Sequence, residues 1–312
     1  MKLQKTTRFT LEIPEPFDFS LTVAKPAGWH WSIRNEIFEH GKFWTGLYVR
    51  DIPVGLKMSA IKNLVQVTAY SESRLPAGYQ GDLESIVAEG LGADEDLGGF
   101  YEFAKNDPIL LKTVEDLPGM RLGHVDDLFG STILAILLQM APMKRSEEMM
   151  DAVLRLYGTP IDFDEKSINL WPTPKKIAAT PESDLRNRAK LGYRSGRLIA
   201  AARYITEHPM SIRELGKLPG KAALKNLMSI PGVGIYSAGI ILWEATLPVD
   251  SWSVTILSEL YFNETPEKPR EAIDRVAAAL TRRFGKWSWF AFGYILNDLR
   301  ELAKIYRLSR IT

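Results

Sequence analysis

Leu227-Met228-Ser229-Ile230-Pro231-Gly232-Val233-Gly234-Ile235-Tyr236-Ser237-Ala238 is the most informative stretch of this 312-residue chain. An amphipathic segment, Ala222 to Met228, runs into Pro231-Gly232-Val233-Gly234, and a second apolar segment follows from Ile235 to Thr246. The pattern predicts a helix, a tight hairpin and a helix. Pro231 fixes one turn angle, Gly232 supplies a positive φ, and Gly234 puts no Cβ in front of the new helix's first N–H groups. Those groups, with the positive end of the helix dipole, suit a phosphate. A Gly-x-Gly pair on its own more often marks only a close helix–helix turn. Lys221 and Lys225, on the preceding helix, read either as phosphate contacts or as solvated charges.

Sixteen residues after Gly234, Pro248-Val249-Asp250-Ser251-Trp252-Ser253 places an acidic residue at the start of the next helix. An intervening helix of about 11 residues is ~16 Å long, and Leu247-Pro248-Val249 turns the chain back, so Asp250 can face the cleft at that helix's start. Asp is equally a favoured N-cap before Ser251-Trp252-Ser253, with or without chemistry.

Outward from this hairpin the chain divides in two. Thr6 to Ile13, Phe19 to Ala24, Trp29 to Glu36, Lys42 to Asp51, Val54 to Ala60 and Asn63 to Tyr70 are rich in β-branched and aromatic residues, predicting an antiparallel sheet domain over 1–90. Residues 91–312 carry the helical period, predicting a larger all-α region, so the fold class is α+β. Ile133 to Met143 reads as a buried helix, and the proline-bearing stretch Tyr157 to Pro181 as an irregular connection.

Composition narrows the chemistry. There is no cysteine, which excludes disulfides, thiolate zinc sites, iron–sulfur clusters and thiol nucleophiles. His30, His40, His124 and His208 are scattered and lack the spacing of a zinc helix. The N-terminus has no signal-peptide pattern and no apolar run reaches membrane-span length, so a cytoplasmic location is expected. The net charge of +1 hides a polarised chain. Residues 183–312 hold 20 Lys and Arg against 12 Asp and Glu, a net of +8, leaving 19 against 26, a net of −7, for residues 1–182. A basic half containing the hairpin is compatible with a polyanionic partner.

The order Ile230-Pro231-Gly232-Val233-Gly234-Ile235-Tyr236-Ser237-Ala238 and then Pro248-Val249-Asp250 resembles the helix-hairpin-helix base-excision DNA glycosylases. Leu191-Gly192-Tyr193-Arg194-Ser195-Gly196-Arg197 resembles a segment of their 8-oxoguanine branch. Gly98-Gly99-Phe100-Tyr101 and Ala135-Ile136-Leu137-Leu138-Gln139-Met140 resemble the 3-methyladenine glycosylase II and 8-oxoguanine groups together. The resemblance implies two helical subdomains over 91–312 with a DNA cleft between them and the hairpin at 222–246. It also implies a monomer acting on double-stranded DNA that holds a damaged base.

In lyase-active members, a lysine that forms a Schiff base occupies the position of Tyr236. The resemblance therefore implies a monofunctional glycosylase that flips out an alkylated purine and hydrolyses its N-glycosidic bond, with Asp250 as the catalytic carboxylate. Tyr236 would form a base-pocket wall, with Trp252, Trp287 and Trp289 as further candidates. Met140, with Gln139, would fill the vacated stack, and Gly232, Val233 and Gly234 would meet the DNA backbone. No cofactor is required, but the backbone carbonyls of Met228, Ile230 and Val233 are candidates to hold Na+ or K+. Two alternatives are an oxidised- or deaminated-purine glycosylase (8-oxoguanine or hypoxanthine) and a non-catalytic lesion-binding module.

Overall fold

Alternation along Leu64–Ser71 buries Val65, Val67, Ala69 and Ser71 on one face, and that strand lies in the sheet the sequence predicts. A computed structural model describes residues 1–242 and 246–311. Five antiparallel strands, β1 (Lys5–Glu12), β2 (Ile37–Glu39), β3 (Lys42–Val49), β4 (Ile52–Ile61) and β5 (Leu64–Ser71), pair in the order β1-β5-β4-β3-β2. Helix Tyr79–Gly90 covers one face with Leu83 and Val87, against Phe43, Leu56, Met58 and Val67. Helices dominate the remainder, and the fold is α+β.

Two expected strands take other forms. Phe19–Val23 is a short helix, because the Asp18 carboxylate accepts the Leu21 N–H at 2.8 Å and caps it; the cap outweighs the β-branched composition. Trp29 to Glu36 is irregular. The Glu36 carboxylate accepts the N–H groups of Trp31, Ser32 and Ile33 at 2.6–3.1 Å, which takes them out of any ladder.

Tyr157 to Pro181, expected to be irregular, contains a β-hairpin, β6 (Thr159–Phe163) and β7 (Lys166–Leu170), turned by Asp164 and Glu165 at φ +47° and +63°. It packs on the main sheet where Gly46 faces Gly55. A Cβ on Gly46 would lie 2.6 Å from Leu170, and one on Gly55 2.5 Å from the Phe163 ring, so glycine at both positions makes room for the second hairpin. Asp164 then accepts hydrogen bonds from the Trp44 indole and the Tyr70 hydroxyl and pairs with Lys57 at 2.8 Å.

The helices form two cores. One draws on residues 128–242, including Ile133, Ile136, Val153, Leu198, Leu227 and Ile230. The other joins residues 97–122 to 249–308, including Phe100, Leu110, Val254, Leu257, Val276 and Tyr294. Helix Pro108–Asp116 was not read from sequence, although Asp107 before Pro108 is a cap-and-N1 signature. The expected buried helix through Met143 stops at Leu138. Met140 stands at φ +50° and is 75% exposed. Among the described residues, no helix is long and apolar enough to cross a membrane.

Candidate active site

Helix Gly220–Met228 ends as Ser229 and Ile230 donate their N–H groups to Asn226 and Leu227. The Val233 N–H returns to the Ile230 carbonyl at 3.0 Å and closes the hairpin, with Gly232 at φ +85°. Gly234 is extended, and nothing lies within 4 Å of where its Cβ would stand, so its side is open to a partner. The carbonyls of Met228 and Val233 accept no hydrogen bond among the described residues. Lys221 and Lys225 are exposed and form no ion pair among those residues. Helix Ile235–Ile241 follows. Residues 243–245 of the helix expected to reach Thr246 lie outside the described residues.

The returning chain crosses that helix at Gly239, where a Cβ would sit 2.7 Å from the Thr246 carbonyl. This brings Asp250 back to the hairpin's side. Asp250 is the helix cap, and one of its oxygens is left over. Its Oδ1 accepts the N–H groups of Trp252 and Ser253 at 3.0 and 2.7 Å and the Ser253 hydroxyl at 2.9 Å, capping helix Ser253–Phe262. Oδ2 accepts no hydrogen bond among the described residues, and Asp250 borders a cavity of about 280 Å3. Burial first, and then the Asp250 carboxylate, push the Tyr236 hydroxyl above the usual tyrosine range, so it stays a proton donor at neutral pH.

Tyr236, Trp252 and Trp289 line this cavity with Asp250. Trp287 does not. Its ring lies 5.9 Å from Phe100 and 5.7 Å from Phe290, partly buried against the aromatic core, so it stands outside the lining where the sequence reading had put it. The cavity opens between the helical cores: Leu134 and Leu138 come from one, Leu122 and Phe292 from the other.

Gln139 is hydrogen-bonded within the chain. Its amide donates to the Gly232 carbonyl at 2.7 Å and the Ser237 hydroxyl at 2.9 Å, and its Oε1 accepts from Arg197 at 2.6 Å. The Gln139 carbonyl accepts from Tyr193 and Arg194. Arg194 and Arg197 also stack on the Tyr193 ring at 4.5 and 4.7 Å. Gln139 is therefore a latch between the hairpin and the Leu191–Arg197 segment. Next to it, Met140 is exposed.

The wall opposite Asp250 was missed from sequence. Lys25, His30 and His124 line the same cavity, on segments read as strand or left unassigned. Burial, reinforced by Arg34 and then Lys25, lowers His30 to about 4. Burial likewise lowers His124 to about 4, and its Nε2 has no partner among the described residues. Both imidazoles are thus neutral at pH 7. Burial brings Lys25 down to about 8, opposed by Glu95 and Glu36. Only Pro26 and Gly28 hinted that this stretch leaves the sheet.

No protein-family model matches the chain. A curated DNA-3-methyladenine glycosylase of Bacillus subtilis (strain 168) is 25% identical over 233 residues, covering 68% of this chain and 76% of its own. The fold is similar to the 3-methyladenine DNA glycosylase of Archaeoglobus fulgidus, with a TM-score of 0.75 at 18% identity, covering 94% of this chain and 99% of that one. It is also similar to the Clostridium acetobutylicum 8-oxoguanine glycosylase/lyase, solved with double-stranded DNA containing cytosine opposite 8-oxoguanine. That comparison gives a TM-score of 0.72 at 18% identity, covering 97% of this chain and all of that one. The chain is thus similar in sequence to a curated DNA-3-methyladenine glycosylase and shares its sheet-plus-helices fold with solved 3-methyladenine and 8-oxoguanine DNA glycosylases.

Proposed function

We propose that this protein is a monofunctional DNA glycosylase that excises a damaged purine from double-stranded DNA and leaves an abasic site. The observation that carries this reading is Asp250, whose Oδ1 is fixed by the helix cap while Oδ2 remains for chemistry beside an aromatic cavity. As the N-glycosidic bond breaks, its electron pair leaves with the base and positive charge develops on the sugar. A carboxylate in a cleft stabilises that charge. Water then attacks C1′ and its proton passes to Asp250.

Tyr236 supports the monofunctional reading, since a phenol cannot form the imine that a lysine there would form. Alkylated purines are the leading substrates. A cationic base leaves without a dedicated acid, and Tyr236, Trp252 and Trp289 provide stacking and cation–π contacts. The curated relative named for 3-methyladenine agrees with this choice. The Leu191-Gly192-Tyr193-Arg194 segment, which resembles the 8-oxoguanine branch, favours oxidised or deaminated purines as a second reading, and Tyr236 opposes it. On the backbone side, Gly232, Val233 and Gly234, flanked by Lys221 and Lys225, would meet phosphate. The Met228 and Val233 carbonyls, which accept no hydrogen bond among the described residues, fit a Na+ or K+ ion shared with that phosphate, with the Ile230 carbonyl beside them.

Duplexes that each carry one lesion, scored for released free base and for borohydride-trapped complex, test the proposal. Base release without trapping is expected. Efficient trapping in the wild-type protein would overturn the monofunctional reading, and no release from any lesion would overturn the enzyme reading in favour of a lesion-binding module.

A further inference from the structure

Two cations border the cavity, and the structure treats them differently. Arg34 is committed to Glu147 and Asp151 at 3.1 and 2.8 Å. Lys25 is 6% exposed and forms no ion pair among the described residues, and its Nζ makes one hydrogen bond, to the Thr22 carbonyl at 2.8 Å. An ammonium has three N–H donors, so two remain. A buried cation without a paired anion is costly to keep. The nearby carboxylates are already engaged elsewhere: Glu36 by three backbone N–H groups and the Thr45 hydroxyl, Glu95 by the N–H groups of Leu122 and Gly123. Beside Lys25 the cavity wall carries His30 and His124, the latter with an unpartnered buried Nε2.

We propose that Lys25 is a specificity-determining residue that donates hydrogen bonds to a carbonyl oxygen on the edge of the flipped base, selecting neutral purines that bear such an oxygen. This rests on the base-excision reading above. An adenine-type base presents an amino group where a hypoxanthine presents a carbonyl, and an ammonium can donate only to the second. A cationic base gains nothing from a neighbouring ammonium and depends on the aromatic walls. Lys25 therefore divides the substrates: oxopurines use it, and methylated adenines do not.

The test compares wild-type protein with Lys25→Met on a hypoxanthine duplex and on methylated DNA assayed for released methyladenine, both under single-turnover conditions. Hypoxanthine release should fall roughly 10- to 100-fold, the usual weight of a hydrogen bond to a charged group, while methyladenine release changes less than about 2-fold. An equal fall on both substrates, or wild-type release of methyladenine with none of hypoxanthine, overturns the proposal and leaves the glycosylase reading standing. No release of any base by wild-type protein overturns both. Should Lys25→Met fail to fold by melting, Lys25→Gln decides. It keeps two donors without the charge, so intermediate hypoxanthine release supports the proposal, and wild-type release contradicts it. Wild-type borohydride trapping that disappears in either variant would make Lys25 a nucleophile and would also contradict it.

Discussion

The Asp250 carboxylate caps a helix with one oxygen and leaves the other facing the cavity side, so a structural role does not use up the group. In the sequence the N-cap reading of Asp250 stood with or without chemistry, and the geometry is compatible with both, because the carboxylate has two oxygens and the cap engages only one. Met140 resolves differently. At the end of an apolar run it read equally as core, yet it is exposed at a left-handed φ, held there by the hydrogen bonds made to the preceding residue. Met140→Ala should leave the melting temperature unchanged and reduce excision from duplex DNA several-fold, with little effect on the same lesion in a single strand, where no stack must be refilled. Kinetics on the two substrates check this, and equal losses on both would mean the side chain does not enter the duplex.

At the level of elements, what was legible followed from local chemistry. Pro231, Gly232 and the apolar segments on either side specified the hairpin because each acts within a few residues. Helix Pro269–Phe284, with proline at its first position, carries the same kind of local signal. The second β-hairpin was not, because its turn uses Asp164 and Glu165 rather than a glycine pair and its partner surface, Gly46 and Gly55, lies more than a hundred residues earlier. Replacing Gly55 by Ala should cost about 1–3 kcal/mol, since the new methyl meets the Phe163 ring in a packed layer. Thermal or denaturant melting reads this, and excision by the folded fraction should persist.

For the molecule as a whole, the polarised charge was legible and the composition of the cavity was only half so. Asp250 and Tyr236 were found because they sit in or next to the hairpin motif. Lys25, His30 and His124 were not, because burial of a polar residue depends on segments distant in sequence, and the Glu36 carboxylate that closes the 31–33 loop leaves no periodic trace. Binding to undamaged duplex tests the electrostatic side: Lys221→Ala and Lys225→Ala should each lower the slope of log affinity against log salt by about 1, uniformly across sequences. Unchanged slopes would mean that these lysines are solvated charges.

Hydrolytic base excision as proposed depends on Asp250, and Asp250→Asn isolates that dependence because Asn caps a helix about as well as Asp. Single-turnover excision from a damaged duplex should fall by at least about 100-fold, while melting temperature and duplex affinity stay at wild-type values. Excision at the wild-type rate by the folded Asp250→Asn protein would contradict the account.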